Sequence, residues 1–254
     1  MKQWAIVTGA GTGIGAALVK ELSKLDSLYI LAVGRRIDPL KKTQSQCSNI
    51  DRVHIMSVDI SRDEDLQKMN SAVGIEDSVK YLVQNAAIGV PDKLANIKKE
   101  DFEYAMAVNV TAPLFLTQMF LPKLKKCSGR IIHLGTGVAF HPQIGTTTYG
   151  VTKMAFHRLY TQLQVELEGT SVQIASVLPG VVDTEGLWEH YDLAKSQQLP
   201  HTSYFDDVKR EGKIFSSELS AKFLKYVMVN SVDEEFSTEW NIHDESHWKM
   251  WKEN

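Results

Sequence analysis

The sequence predicts an α/β fold: one open, doubly wound parallel sheet with helices on both faces. Three observations point there. Short β-branched runs alternate with longer segments of helical spacing almost to the end of the chain, the order that builds βαβ units. Most of the short runs are apolar on both faces, as strands covered from two sides must be. The 254 residues, 43% of them hydrophobic, contain no linker, repeat or low-complexity tract. A chain of this size would fold from roughly 41,000 Å² of surface to about 11,000 Å², so a single domain over residues 1–254 is expected.

The elements follow in order. A strand over residues 4–8 enters a glycine-rich turn and a helix over 14–25; strands over 29–33 and 53–58 come next. A helix over 62–73, a strand over 79–83, a long helix over 101–126, a strand over 130–134, a helix over 149–167 and a strand over 172–178 complete the alternation. Each helix repeats its apolar residues every three or four positions. Residues 183–212 break the pattern with Trp188, His190, Tyr191, Pro200, His201, Tyr204 and Phe205; a connection this long reads as a substrate lid. A helix over 217–229 follows, and the extension 231–254 holds three of the five tryptophans, so it must cover something.

With 28 Lys and Arg against 31 Asp and Glu, a net charge of -3 and no basic run, the chain lacks the footprint of a nucleic-acid binder. No apolar run reads as long enough to cross a bilayer, and no signal segment precedes the first strand. Cys47 and Cys127 sit in no CxxC or catalytic pattern, so they read as reduced thiols of a cytoplasmic protein. The eight histidines form no HExxH and no paired Cys/His spacing, so no metal is expected. His133, in a buried strand, is expected to be a hydrogen-bonded core group, and His141 to lie on a surface loop or at a pocket mouth.

Between the first strand and helix stands Thr8-Gly9-Ala10-Gly11-Thr12-Gly13-Ile14-Gly15. Such a turn brings backbone amides close to a pyrophosphate while the helix N-terminus, carrying about half a positive charge, faces its oxygens. The reading is a Rossmann-type dinucleotide site with TGxxxGxG spacing; tight packing alone is the competing use of such glycines. The second strand ends Gly34-Arg35-Arg36, where an NAD enzyme usually carries an acid on the ribose 2′-hydroxyl. Two guanidiniums there suit a 2′-phosphate and favour NADP(H) over NAD(H), although they could also serve merely to solubilise the strand end and Thr12 supplies no second basic group.

Tyr149 and Lys153 open a helix after Thr146, Thr147 and Thr148, any of which could cap it. Four residues apart, phenol and ammonium lie on one face, and a neighbouring cation would bring the phenol toward the working pH of a general acid. The ordered set of motifs then resembles the short-chain dehydrogenase/reductase family along nearly the whole chain: the turn at Thr8 to Gly15, Asp59-Ile60, Asn85-Ala86, Asn109, Thr136, Tyr149 with Lys153, and Pro179-Gly180-Val181-Val182-Asp183-Thr184. The resemblance implies Tyr149 as proton donor and Thr136 as substrate-orienting hydroxyl. Lys153 would hold the nicotinamide ribose and acidify the tyrosine, and Asn109 would hold a relay water. Asp59 and Ile60 would contact adenine, Asn85 and Ala86 the adenosine ribose, and the run from Pro179 and Gly180 to Val182 and Thr184 the nicotinamide side.

Three departures from the family pattern stand out. Ala87 replaces a glycine after the fourth strand, Thr136 replaces the usual serine, and Glu239 to Asp244 replaces a C-terminal glycine pair. Residues 179–184 and 209–218 resemble the branch of sepiapterin and benzil reductases, which implies a vicinal dicarbonyl substrate reduced by NADPH. The other reading is a non-catalytic, NADP-responsive binding protein on the same fold. Broad apolar stripes on the helices over 101–126 and 149–167 suggest a homodimer, or a homotetramer.

Overall fold

The apolar runs pair as one parallel sheet. A computed structural model of the chain describes residues 1–252. Its main strands are β1 (Gln3–Thr8), β2 (Leu28–Gly34), β3 (Val53–Ser57), β4 (Ser78–Gln84), β5 (Arg130–Leu134) and β6 (Gln173–Leu178). A two-stranded ladder joins β7 (Val182–Asp183) to β8 (Phe215–Ser216), and β9 (Glu239–Asn241) adds a seventh strand to the main sheet in the order β3-β2-β1-β4-β5-β6-β9. Because β1 lies between β2 and β4, the connections diverge there, and such a switch point opens a crevice at the C-terminal ends of the strands.

Alternation along each strand feeds two cores. Ala5 and Val7 of β1 face α1 (Gly13–Leu22), α2 (Ile37–Ser45) and α9 (Ser217–Lys225). Trp4 and Ile6 face α3 (Asp63–Ala72), α5 (Ala112–Lys125) and α6 (Thr147–Glu166). Sequence reasoning overlooked α2, since only Leu40 and Thr43 of it are buried.

α4 (Lys99–Met106) runs through a π turn (Ala107–Thr111) into α5. The resulting helix of 27 residues is, by length and composition, apolar enough to cross a bilayer, which corrects the expectation that no such segment exists. Its buried residues, among them Val108, Leu116, Phe120 and Leu124, pack on the sheet, so core burial accounts for much of its apolar content.

The segment 183–212 is helical rather than a loop: α7 (Glu185–Ser196) packs on α8 (Thr202–Arg210). The Tyr191 hydroxyl donates to Asp206 at 2.7 Å, and His190 and His201 approach through their Nε2 atoms at 3.0 Å. In the extension, α10 (Asp233–Phe236) precedes β9 and α11 (Trp248–Trp251) follows it. Trp240, opposite Val177 of β6, Trp248 and Trp251 each find an acceptor for the indole N–H: Phe236 O, Ile242 O and His247 Nδ1. What the extension covers is α9, through Phe223, on which His247 stacks at 5.1 Å.

Candidate active site

The crevice begins at the end of β1. Gly9 and Gly13 take positive φ, 67° and 53°, and a Cβ on Gly15 would stand 2.3 Å from Gly9 O, so no larger residue fits. The Thr8 hydroxyl donates to Val83 O and accepts from the amides of Asn85 and Ala86. The Asn85 amide donates to Thr8 O at 2.7 Å and Gly9 O at 3.2 Å; its side chain therefore braces the turn. No side chain caps α1 at Thr12, which leaves its first-turn amides facing a cleft of about 310 Å³. Tight turn, uncapped helix start and adjoining cleft together fit the diphosphate of a dinucleotide.

The cleft brings together Gly9, Thr12, Gly13, Ile14, Arg35, Arg36, Asp59, Ile60, Asn85, Ala86 and Thr184. Gly15 lies beneath it. Tyr104 of α4, unmarked by any sequence motif, also lines it: its hydroxyl donates to Asp59 at 2.9 Å and accepts from Arg35 at 3.2 Å. Burial pushes the Asp59 carboxyl up, but bonds from Ser61 and Tyr104, with the Arg35 charge, outweigh it and hold the carboxyl below its usual range. Arg36 reaches Glu185 at 3.1 Å, an ion pair joining the end of β2 to α7.

A second pocket of about 680 Å³ opens beside the first and is lined by Thr136, Tyr149, Pro179, Gly180, Val182, Thr184 and, from α7 and α8, His190, Tyr204 and Phe205. The extension adds Glu239, Asn241 and His243. His141 is exposed on a loop and also lines this pocket, so both expectations for it hold. Tyr149 packs closely on the loop after β4 because position 89 is glycine; a Cβ there would come within 2.6 Å of the ring. Thr184 caps α7 by accepting from the Leu187 amide at 3.1 Å.

One expectation needs correction. Burial pushes the Tyr149 phenol up, opposed by its hydrogen bond with Thr136, whereas Lys153 had been expected to bring it down. The Lys153 amine turns to the sheet and donates to Leu134 O at 2.6 Å. A buried amine must find an acceptor, and the end of β5 supplies one; Lys153 also lines a small cavity with His133 and Ser176. Burial takes this amine down to about 7. Asn109, in the π turn, accepts from the Ile88 amide and donates to Ile88 O and the Thr152 hydroxyl. Both its donor hydrogens are thereby engaged, and the side chain ties the β4 loop to α6.

His133 departs from expectation too. It is buried on β5, stacked on Phe156 at 4.1 Å, but neither ring nitrogen has a hydrogen-bond partner. Burial drives its pKa down to about 3, with the Lys153 charge adding to the effect. Among the described residues no three His, Cys, Asp or Glu side chains gather as metal ligands.

The profile described as short chain dehydrogenase matches residues 3–193. The chain belongs to the short-chain dehydrogenase family. It is 32% identical over 207 residues to an uncharacterised oxidoreductase of Staphylococcus epidermidis, covering 80% of this chain and 88% of that one. A Staphylococcus aureus oxidoreductase, also uncharacterised, is 30% identical over 182 residues, 71% and 78% of the two chains. Among solved structures, a short-chain dehydrogenase/reductase of Saccharomyces cerevisiae superposes with a TM-score of 0.86 at 22% identity, covering 99% of this chain and all of that one. A serine dehydrogenase complexed with NADP+ superposes at 0.77 with 20% identity, covering 94% of each chain. The protein is an oxidoreductase of this family, on its seven-stranded Rossmann-like sheet.

Proposed function

We propose that the protein uses NADPH to reduce a carbonyl group of a small molecule to an alcohol, with Tyr149 as proton donor. One observation carries the reading. The cleft and the larger pocket share Ile14, Ala87, Ile88, Thr184 and Gly186, and Tyr149 and Thr136 both line the pocket side of that junction.

The reduced nicotinamide, when bound, supplies the hydride. Tyr149 and Thr136 donate to the carbonyl oxygen, offset the negative charge that develops on it, and Tyr149 passes over its proton. A phenol held above its ordinary pKa stays protonated across the neutral range, the state a donor needs. The Lys153 amine, with a pKa of about 7, gains and loses a proton near working pH. A purely nucleotide-responsive role gains no support, since the full set of hydroxyl and amine groups is present.

Gly9, Thr12, Gly13, Ile14 and Gly15 hold the diphosphate, Asp59 and Ile60 the adenine, and Asn85 and Ala86 the adenosine ribose. Pro179, Gly180, Val182 and Thr184 flank the nicotinamide. Arg35 and Arg36, with no acid at Gly34, take the 2′-phosphate. Tyr204 and Phe205 offer flat faces to a planar vicinal dicarbonyl of the benzil or sepiapterin kind. Leu114 and Phe115 on α5, and Val151 and Met154 on α6, are exposed apolar residues suited to pairing two copies, and two such pairs would make a tetramer.

The test follows NADPH absorbance over vicinal dicarbonyls, pteridines, quinones and hydroxysteroids, with NADH in parallel. Turnover of a dicarbonyl with NADPH preferred is expected. A preference for NADH overturns the arginine assignment, and inertness toward every carbonyl overturns the reaction class.

A further inference from the structure

Beside Lys153 lies a cavity of about 10 Å³, bounded by β5, β6, β9 and α6. That is close to the roughly 10–15 Å³ needed by the centre of one water. The titratable groups facing it are His133 on β5, Lys153, His157 and Tyr160 on α6, and Glu239 on β9; Ser176 of β6 adds a hydroxyl.

Two of these groups can bond further. His133 is 1% exposed, and neither Nδ1 nor Nε2 has a partner. A neutral imidazole always carries one donor and one acceptor, and folded cores give such groups a partner in protein or ordered water. Lys153 donates to Leu134 O and lies over the Phe156 ring at 4.6 Å; an ammonium has three hydrogens, so it can also donate into the cavity it lines. A molecule that both accepts and donates satisfies both sides, and the space admits nothing larger than water.

We propose that this cavity binds a single water shared by Lys153 and His133, and that His133 acts through it as a positioning residue for the Lys153 amine. The water accepts from Lys153 and donates to the unprotonated nitrogen of His133. On the far side the Ser176 hydroxyl and His157 Nδ1 both approach Glu239 Oε2, at 3.4 and 3.3 Å, and Glu239 also lines the substrate pocket. The water therefore gives Lys153 an exchange path toward solvent on the side away from the coenzyme cleft. The catalytic consequence rests on the proposed function; the water itself does not.

Replacing His133 with Phe keeps the stack on Phe156 and removes both nitrogens, while His133→Asn restores a donor and an acceptor. In the wild type, a high-resolution crystal structure should place one ordered water within hydrogen-bond distance of His133 and Lys153. In His133→Phe that water should be gone, kcat should fall roughly tenfold with KM for NADPH and substrate unchanged, and the pH dependence of kcat should shift. His133→Asn should recover most of kcat. An empty cavity in the wild type overturns the proposal even if His133→Phe does not fold, and so does a His133→Phe enzyme with wild-type kcat and pH profile. If Tyr149→Phe stays fully active, the proposed function fails while the water stands or falls on its own density.

Discussion

Replacing Lys153 with methionine should stabilise the protein at neutral pH while abolishing turnover. The amine is buried, has one hydrogen bond and has no carboxylate acting on it; burial alone takes its pKa from 10.5 to about 7. At 1.36 kcal/mol per pKa unit this amounts to roughly 5 kcal/mol against the charged form. The folded chain holds this proton less tightly than the unfolded one, so the full penalty applies below about pH 7 and is relieved as pH rises toward 10.5. Methionine fills nearly the same volume without charge, but it leaves Leu134 O without a donor, which costs about 1–3 kcal/mol. The net gain at pH 7 is then about 2–4 kcal/mol, or roughly 5–10 °C in Tm for a chain of this size. Thermal unfolding at neutral and alkaline pH measures it, and the advantage over wild type should shrink as pH rises. A variant less stable than wild type at pH 7, or an advantage that grows with pH, refutes the reasoning.

Gly15→Ala would set a Cβ 2.3 Å from Gly9 O and 2.6 Å from the Asn85 amide nitrogen. A loss of about 1–3 kcal/mol in stability and weaker NADPH binding, read by fluorescence titration, are expected. Trp240→Ala removes the buried side chain that pins β9 to β6. It should cost about 3–5 kcal/mol and raise substrate KM, because Glu239 and Asn241 leave the pocket wall, while NADPH Kd holds. Arg36 and Glu185 are both exposed, so Glu185→Gln should move stability by less than about 1 kcal/mol. The same variant should tighten NADPH but not NADH binding in calorimetry, since it frees a guanidinium for the 2′-phosphate.

The parallel sheet was legible because the period of Val, Ile and Leu runs survives in strands covered on both faces: 130–134 agrees residue for residue with β5. The glycine turn was legible because sterics at Gly9, Gly13 and Gly15 admit nothing else. Helices α7 and α8 were not, since of their residues only Tyr191, Ala194 and Val208 are buried, too few to leave a helical stripe. Nor was β9, three residues long, whose register depends on the partner strand β6. At the site, spacing put Tyr149 and Lys153 on one helical face but could not say that the amine bonds a backbone acceptor on β5. Tyr104, too, joins Asp59 and Arg35 only through tertiary packing.

The most direct measurement is turnover by Tyr149→Phe beside its NADPH affinity. The account predicts loss of carbonyl reduction by at least about a hundredfold, with coenzyme binding and thermal stability close to wild type. Wild-type turnover in that variant would contradict it.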